Sequence, residues 1–189
     1  MSRAARLLVT STLLLAALAR PEPRLNAAQQ PADVNPAPEV AIKAAVVANF
    51  PKFVEWPASA FESKTAPFVI AVLGDDRLAP AIASAFKDKR IADRPVAVVR
   101  VSRIEDLQAC HVLYVSASEE RRLEQVLESL NHRAVLTIGD FSRFTQRGGM
   151  IGLVLQDDRV RFDINERAAR TSGLRLSANL LRLAAAVVS

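Results

Sequence analysis

Apolar and polar positions along this chain fall into alternating helix-spaced stretches and short strand-like runs. Val40, Ala41, Ala44, Ala45, Val47 and Ala48 form one helical stripe to about Asn49, with Pro38 in the first turn, where a proline is tolerated. Pro51 is expected to bend or end that helix before Trp56-Pro57. Beyond Pro67, Phe68 to Leu73 is a continuous apolar run closed by Gly74-Asp75-Asp76, as in a buried strand followed by a turn, and Leu78 to Phe86 returns to helical spacing. Val96 to Val101 and Val112 to Val115 read as the next two strands, with at most one short helix, Ile104 to Leu107, between them.

Ser118 opens a further helix with Glu119 and Glu120 in its first turn and Leu123, Val126, Leu127 and Leu130 on one face, stopped at Asn131. Ala134 to Ile138 is a fourth strand. Met150 to Leu155 and Val160 to Ile164 flank Gln156-Asp157-Asp158-Arg159 as a hairpin, which Gly148-Gly149 introduces as a tight lead into the sheet edge. Asn165 is placed to cap a helix carrying Ala168 and Ala169, and a last helix runs from about Ser177 through Leu180, Leu181, Leu183, Ala184, Val187 and Val188. The pattern predicts an α/β fold: a layered sheet of about six strands, mostly parallel with a C-terminal hairpin, flanked by helices.

The N-terminal segment changes where this domain is expected to act. Arg3 and Arg6 precede an apolar run from Leu7 to Ala19 that ends Ala17-Leu18-Ala19, the small-x-small pattern of a signal peptidase site, so residues 1–19 read as a signal peptide cleaved after Ala19. That run is shorter than the roughly 20 residues of a membrane helix. Residues 20–37 hold Pro21, Pro23, Pro31 and Pro36 with Gln29-Gln30 and no apolar period, a flexible leader, and residues 38–189 form the single domain. The expected location is the periplasm.

The charge balance, 25 basic against 20 acidic residues, loses part of its excess with Arg3 and Arg6, and no basic block is longer than Arg121-Arg122. Nucleic-acid binding, which needs a concentrated basic face, is discounted. Cys110 is the only cysteine, so no disulfide can form within the chain. Its place at the head of an apolar strand reads as a small buried residue.

The candidate chemistry is thin. Gly74-Asp75-Asp76 sits where α/β folds place metal or phosphoryl chemistry, but a receiver-like site needs an aspartate closing the third strand, and Ser116-Ala117-Ser118 stands there. His111 and His132 lack partners at metal-ligand spacing, no serine sits in a Gly-x-Ser-x-Gly elbow, and Gly148-Gly149 leads into a strand rather than a helix. No catalytic residue, metal site or cofactor is expected. Trp56, the only tryptophan, lies between Phe53 and Phe61 at a proline-defined bend, and is either core packing or an exposed anchor for a partner or ligand.

Seven motifs occur in one order: Lys43-Ala44-Ala45 with Asn49-Phe50 and Lys52-Phe53-Val54-Glu55-Trp56-Pro57; Ile70 to Asp75; Cys110 to Tyr114; Leu136 to Asp140; Gly148-Gly149-Met150-Ile151; Phe162 to Asn165; and Gly173-Leu174 with Leu180 to Ala184. In that order the chain resembles the YfiR family of periplasmic proteins over nearly the whole mature domain. It departs from the family at Pro51, which interrupts a helix usually continuous there, and at Cys110, unpaired where some relatives form disulfides. The resemblance implies a non-enzymatic regulator that binds the periplasmic sensor domain of an inner-membrane diguanylate cyclase and lowers cyclic di-GMP. It also implies sequestration by an OmpA-like outer-membrane lipoprotein, and dimerisation. Aromatic and arginine residues supply most interface hot spots, which points to Phe53 and Trp56 with Arg175, Asn179 and Arg182 as the contact surface. The competing reading is a periplasmic small-ligand-binding module serving a sensor kinase or transporter, its pocket lined by the aromatic cluster.

Overall fold

The computed structural model describes residues 38–74, 77–156 and 159–188. The expectations for residues 1–37, for Asp75 and Asp76, and for the turn at 157–158 lie outside these described residues. In chain order the elements are α1 (Pro38–Asn49), β1 (Val54–Glu55), β2 (Phe68–Leu73), α2 (Leu78–Ala85), β3 (Arg90–Ile91), β4 (Arg94–Val101), β5 (Val112–Val115), α3 (Leu123–Leu130), β6 (Leu136–Gly139), β7 (Ile151–Gln156), β8 (Arg159–Asn165), α4 (Glu166–Thr171), β9 (Arg175–Leu176), α5 (Ala178–Leu183) and β10 (Ala186–Val188).

Eight strands form one sheet in the order β10-β8-β7-β6-β5-β2-β4-β3. From β4 through β7 every neighbouring pair is parallel. The chain makes β2, places β4 on one side of it, and then adds β5, β6 and β7 on the other, the doubly wound order in which the sheet reverses direction between β2 and β5. This is the mostly parallel α/β sheet expected from the apolar runs. Alternate residues separate its two faces. Ile70, Val72, Val112, Tyr114, Leu136 and Ile138 pack with α1 and α2, whereas Ala71, Leu73, Leu113 and Val115 pack with α3, Phe141 and Phe144. Each fully buried aliphatic side chain in these layers contributes about 1.5–3 kcal/mol relative to exposure.

Pro51 falls where α1 ends, as expected: it lies in the short 3₁₀ turn Phe50–Phe53 that follows the helix, at an early position where its missing N–H leaves no hydrogen bond unmade. Two local expectations need correction. The hairpin of β7 and β8 is not the sheet edge, because β10 pairs in parallel beyond β8, Val187 opposite Ile164. The last helix therefore stops at Leu183; Ala184 turns extended (φ −67°, ψ 144°), and the β-branched Val187 and Val188 join the sheet instead of the helix. The two strands of this eight-stranded sheet beyond the expected six are this β10 and β3, joined to β4 through Ala92 and Asp93, both at positive φ, with Ile91 opposite Arg94. That turn lacks the Asn-Gly or Asp-Gly signal of such hairpins.

Asn131 does end α3, in the left-handed conformation (φ 43°, ψ 52°), and Asn165 does cap α4, its Oδ1 accepting from the Ala168 N–H at 2.9 Å.

Candidate functional site

A small second sheet, β1 with β9, draws the two ends of the domain together. The strands run antiparallel, Val54 opposite Leu176 and Glu55 opposite Arg175. The next residue, Ser177, donates its N–H to the Phe53 carbonyl at 2.9 Å and caps α5, its Oγ accepting from the Leu180 N–H at 3.2 Å. Phe53 and Trp56 thus come next to Arg175 and to the helix that carries Asn179 and Arg182. Phe53 is half-buried against the core, while Arg175, Asn179 and Arg182 are exposed. Arg182 donates to the Asn179 Oδ1 one turn earlier.

Trp56 packs against the core and is also partly open to solvent. Its ring meets Phe68 edge-on at 4.9 Å and its Nε1 donates to the His111 carbonyl at 3.2 Å, yet it is only half-buried and lines a cleft of about 290 Å³ with Glu55, Pro57, Gly173 and Arg175. Gly173 bends there at φ +77°, a conformation that strains any residue with a Cβ.

Behind Trp56 lies His111, which the sequence offered only as a histidine without metal-binding partners. His111 is 5% exposed, with its ring stacked against Phe61 at 4.5 Å and Phe68 at 4.9 Å. Nδ1 accepts from the Val69 N–H at 2.9 Å, so the neutral ring carries its proton on Nε2. Burial holds His111 below the ordinary imidazole value and the Arg94 charge lowers it further, against an upward pull from the Ala60 and Val69 backbone. Arg94 caps the stack from β4, its guanidinium 3.9 Å from the Phe61 ring centre and donating to the Ser63 and Ala66 carbonyls at 2.8 Å each. The signal available in the sequence was His111 next to an apolar run; nothing in the spacing placed Phe61 or Arg94 beside it.

The carboxyl end of the central strands, at the reversal between β2 and β5, is where doubly wound folds put ligands. Gly74 ends β2 at φ +99°, and a Cβ there would lie 2.1 Å from the Ser116 Oγ. Ser116 and Ser118 share a hydroxyl hydrogen bond at 2.8 Å, and the nearly buried Glu119 pairs with Arg122 at 2.5 Å. Beyond β6, Lys43 of α1 reaches Asp140 and Glu39 at 2.8 Å each. Burial pulls the Lys43 ammonium down, but the hydrogen bonds and charges of Asp140 and Glu39 outweigh it and hold it above the ordinary lysine value. These are the ion pairs and side-chain contacts of the described residues at that end of the sheet.

Cys110 is buried, and burial pushes its thiol up to about 12, as an inert packing residue would be. Among the described residues no three His, Cys, Asp or Glu side chains are gathered to hold a metal ion, and no helix is long and apolar enough to cross a membrane.

A family model described as YfiR/HmsC-like matches residues 40–185. Among solved structures, the chain is similar to an ABC domain in complex with L-Trp from Streptococcus pneumoniae (12% identity, TM-score 0.48, covering 64% of this chain and 55% of that one). It is also similar to a conserved domain protein from Vibrio cholerae (13% identity, TM-score 0.47, covering 63% and 54%). The chain spans about half the length of each of these structures.

Proposed function

Because the chain belongs to the YfiR/HmsC-like family, whose members are periplasmic regulators of cyclic di-GMP signalling rather than enzymes, we propose that it represses an inner-membrane diguanylate cyclase by binding the cyclase's periplasmic sensor domain. Residues 1–19 direct export, and residues 38–189 act as one regulatory domain. Preferential binding to the inactive conformation of the cyclase shifts its population without any chemical step. An OmpA-like outer-membrane lipoprotein competes for the regulator and relieves the repression, and the regulator self-associates.

The observation that supports this reading is the β1–β9 clip, which brings the half-buried Trp56 beside the exposed Arg175 from a distant part of the chain, next to the helix that carries Asn179 and Arg182. Buried aromatic anchors rimmed by arginine are the usual composition of an interface hot spot. Phe53, Trp56, Arg175, Asn179 and Arg182 are assigned to that contact.

The test is cellular cyclic di-GMP in the native host. Deletion of the gene raises it, complementation with the full chain restores it, and complementation with a form lacking residues 1–19 does not. The Arg175→Glu variant, folded by circular dichroism, fails to restore it. Unchanged cyclic di-GMP on deletion rejects the cyclase reading, and full activity of Arg175→Glu and Arg182→Ala rejects the assigned face.

A further inference from the structure

A second concavity opens on a separate part of the surface, where α3 ends, α4 begins, and β6 and β7 enter the sheet. It measures about 580 Å³, within the range of small-molecule sites and about twice the volume of the Trp56 cleft. Its floor is apolar: Leu127, Leu130, Val135, Met150 and Ala168. The polar atoms that reach the floor are already satisfied. Thr137 Oγ1 accepts from the Met150 N–H at 3.0 Å, and Asn165 uses its Oδ1 on the Ala168 N–H and its Nδ2 on the Thr145 carbonyl, both at 2.9 Å. With these atoms already engaged and the rest of the floor apolar, it suits a hydrocarbon body.

The rim is the reverse. Arg133, held in its turn by its own N–H on the Leu130 carbonyl at 2.8 Å, and Arg167, in the first turn of α4, both line the opening. Neither guanidinium makes a hydrogen bond or ion pair with any described residue, whereas Arg122, Arg147 and Arg170 nearby in sequence are each paired with glutamate. Glu128 is the one acidic residue at the rim. Two guanidiniums that line one opening and pair with no described residue favour an anion, because each offers a fork of N–H donors matched to carboxylate, sulfonate or phosphate oxygens.

We propose that this cleft binds a small organic anion, its apolar body of about ten carbons lying on Leu127, Leu130, Met150 and Ala168 and its anionic group held between Arg133 and Arg167. The site is distinct from the Trp56 face, and the proposal does not depend on the cyclase reading.

The test titrates the purified mature domain with 2-naphthoate and with 2-naphthamide, the same body without the charge, following the methyl resonances of Met150, Leu127 and Leu130 by NMR. Naphthoate is expected to perturb these methyls with a Kd below 1 mM, and naphthamide to bind about tenfold or more weakly, the scale of one charge-assisted hydrogen bond. Arg133→Gln and Arg167→Gln each weaken naphthoate by about the same factor and leave naphthamide unchanged. Trp56→Phe changes neither. Four results overturn the proposal: no methyl shift with naphthoate at 5 mM, equal binding of acid and amide, retention of naphthoate affinity in both arginine variants, or loss of it in Trp56→Phe. A fifth, arginine-dependent binding to phosphatidylglycerol vesicles but not to soluble naphthoate, reassigns the patch to a lipid surface. Because both arginines are exposed, unchanged thermal melts of the variants are expected and keep loss of binding separate from loss of fold.

Discussion

Phe144 is clamped between two glycines, and that clamp yields a measurable steric prediction. The ring is 1% exposed and packs edge-on against Phe141 at 5.2 Å. A Cβ on Gly149 would stand 2.1 Å from the Phe144 Cε1, and one on Gly139 would stand 2.4 Å from Cδ2, on the other side of the ring. The ring cannot retreat from one glycine without meeting the other, and its backbone is tied by the Gly149 N–H on the Phe144 carbonyl at 3.0 Å. Gly149→Ala therefore incurs an overpacking cost of about 1–3 kcal/mol, reduced by about 0.4–1 kcal/mol because alanine narrows the unfolded ensemble. At about 2–4 °C per kcal/mol for a domain of this size, Tm falls by up to roughly 10 °C, with about 4 °C expected from the middle of these ranges. Gly152 is the internal control: a Cβ there meets Thr145 at an ordinary 3.4 Å, so Gly152→Ala is expected to leave Tm within about 2 °C. In Gly149→Ala combined with Phe144→Leu, the alanine costs little more than Phe144→Leu alone, since the shorter side chain removes the clashing ring atoms. Calorimetric melts of the four variants decide it. A Gly149→Ala domain as stable as the parent, or a Gly152→Ala domain equally destabilised, refutes the clamp.

Other perturbations follow from the same packing. Because burial lowers the native His111 pKa, the folded state binds fewer protons than the unfolded one, so this group's contribution is intact above the ordinary value of about 6.5 and is lost as pH falls below it. Melts between pH 7.5 and 5 should show a steeper decline in the parent than in His111→Leu; parallel curves contradict the assignment. Lys43→Met leaves the Asp140 carboxylate largely buried without its ammonium and is expected to cost about 1–3 kcal/mol in urea denaturation, with Lys43→Met, Asp140→Leu recovering most of it. A double variant no more stable than the single removes the pair from the account. Cys110, its thiol at about 12, should resist iodoacetamide at pH 8 in the folded domain and react in urea; rapid native labelling would show an accessible thiolate.

The layered α/β sheet was readable because its signals are local. Phe68–Leu73 and Val112–Val115 are uninterrupted apolar runs, buried on both faces, and such runs have few alternatives to a central parallel strand. The elements that were missed depend on contacts from elsewhere. β10 exists because β8 offers a free edge to Ala186–Val188, and the β3–β4 turn is held at Ala92 and Asp93 by strand pairing rather than by residues that favour positive φ. The candidate site divides in the same way. Trp56 was conspicuous as the only tryptophan, but its adjacency to Arg175 and its bond to the His111 carbonyl are long-range consequences of the fold. The cleft between Arg133 and Arg167 left no motif, since its apolar floor is shared with the core and its arginines come from two separate turns.

The β1–β9 clip also bears on how the molecule is made. Pairing Val54 with Leu176 closes a loop of roughly 120 residues, an entropic cost of about 4 kcal/mol before any constant term, offset by only two short strands. Such a contact forms late, after the parallel sheet has already shortened the effective loop, and its interactions are expected to be weak in the folding transition state, so that weakening the clip speeds unfolding more than it slows folding. The Trp56 face is then completed only when both ends of the domain have been synthesised and seated. A nicked or half-folded chain carries the tryptophan without its arginine rim, so the surface that would be offered to a partner doubles as a report that folding has finished.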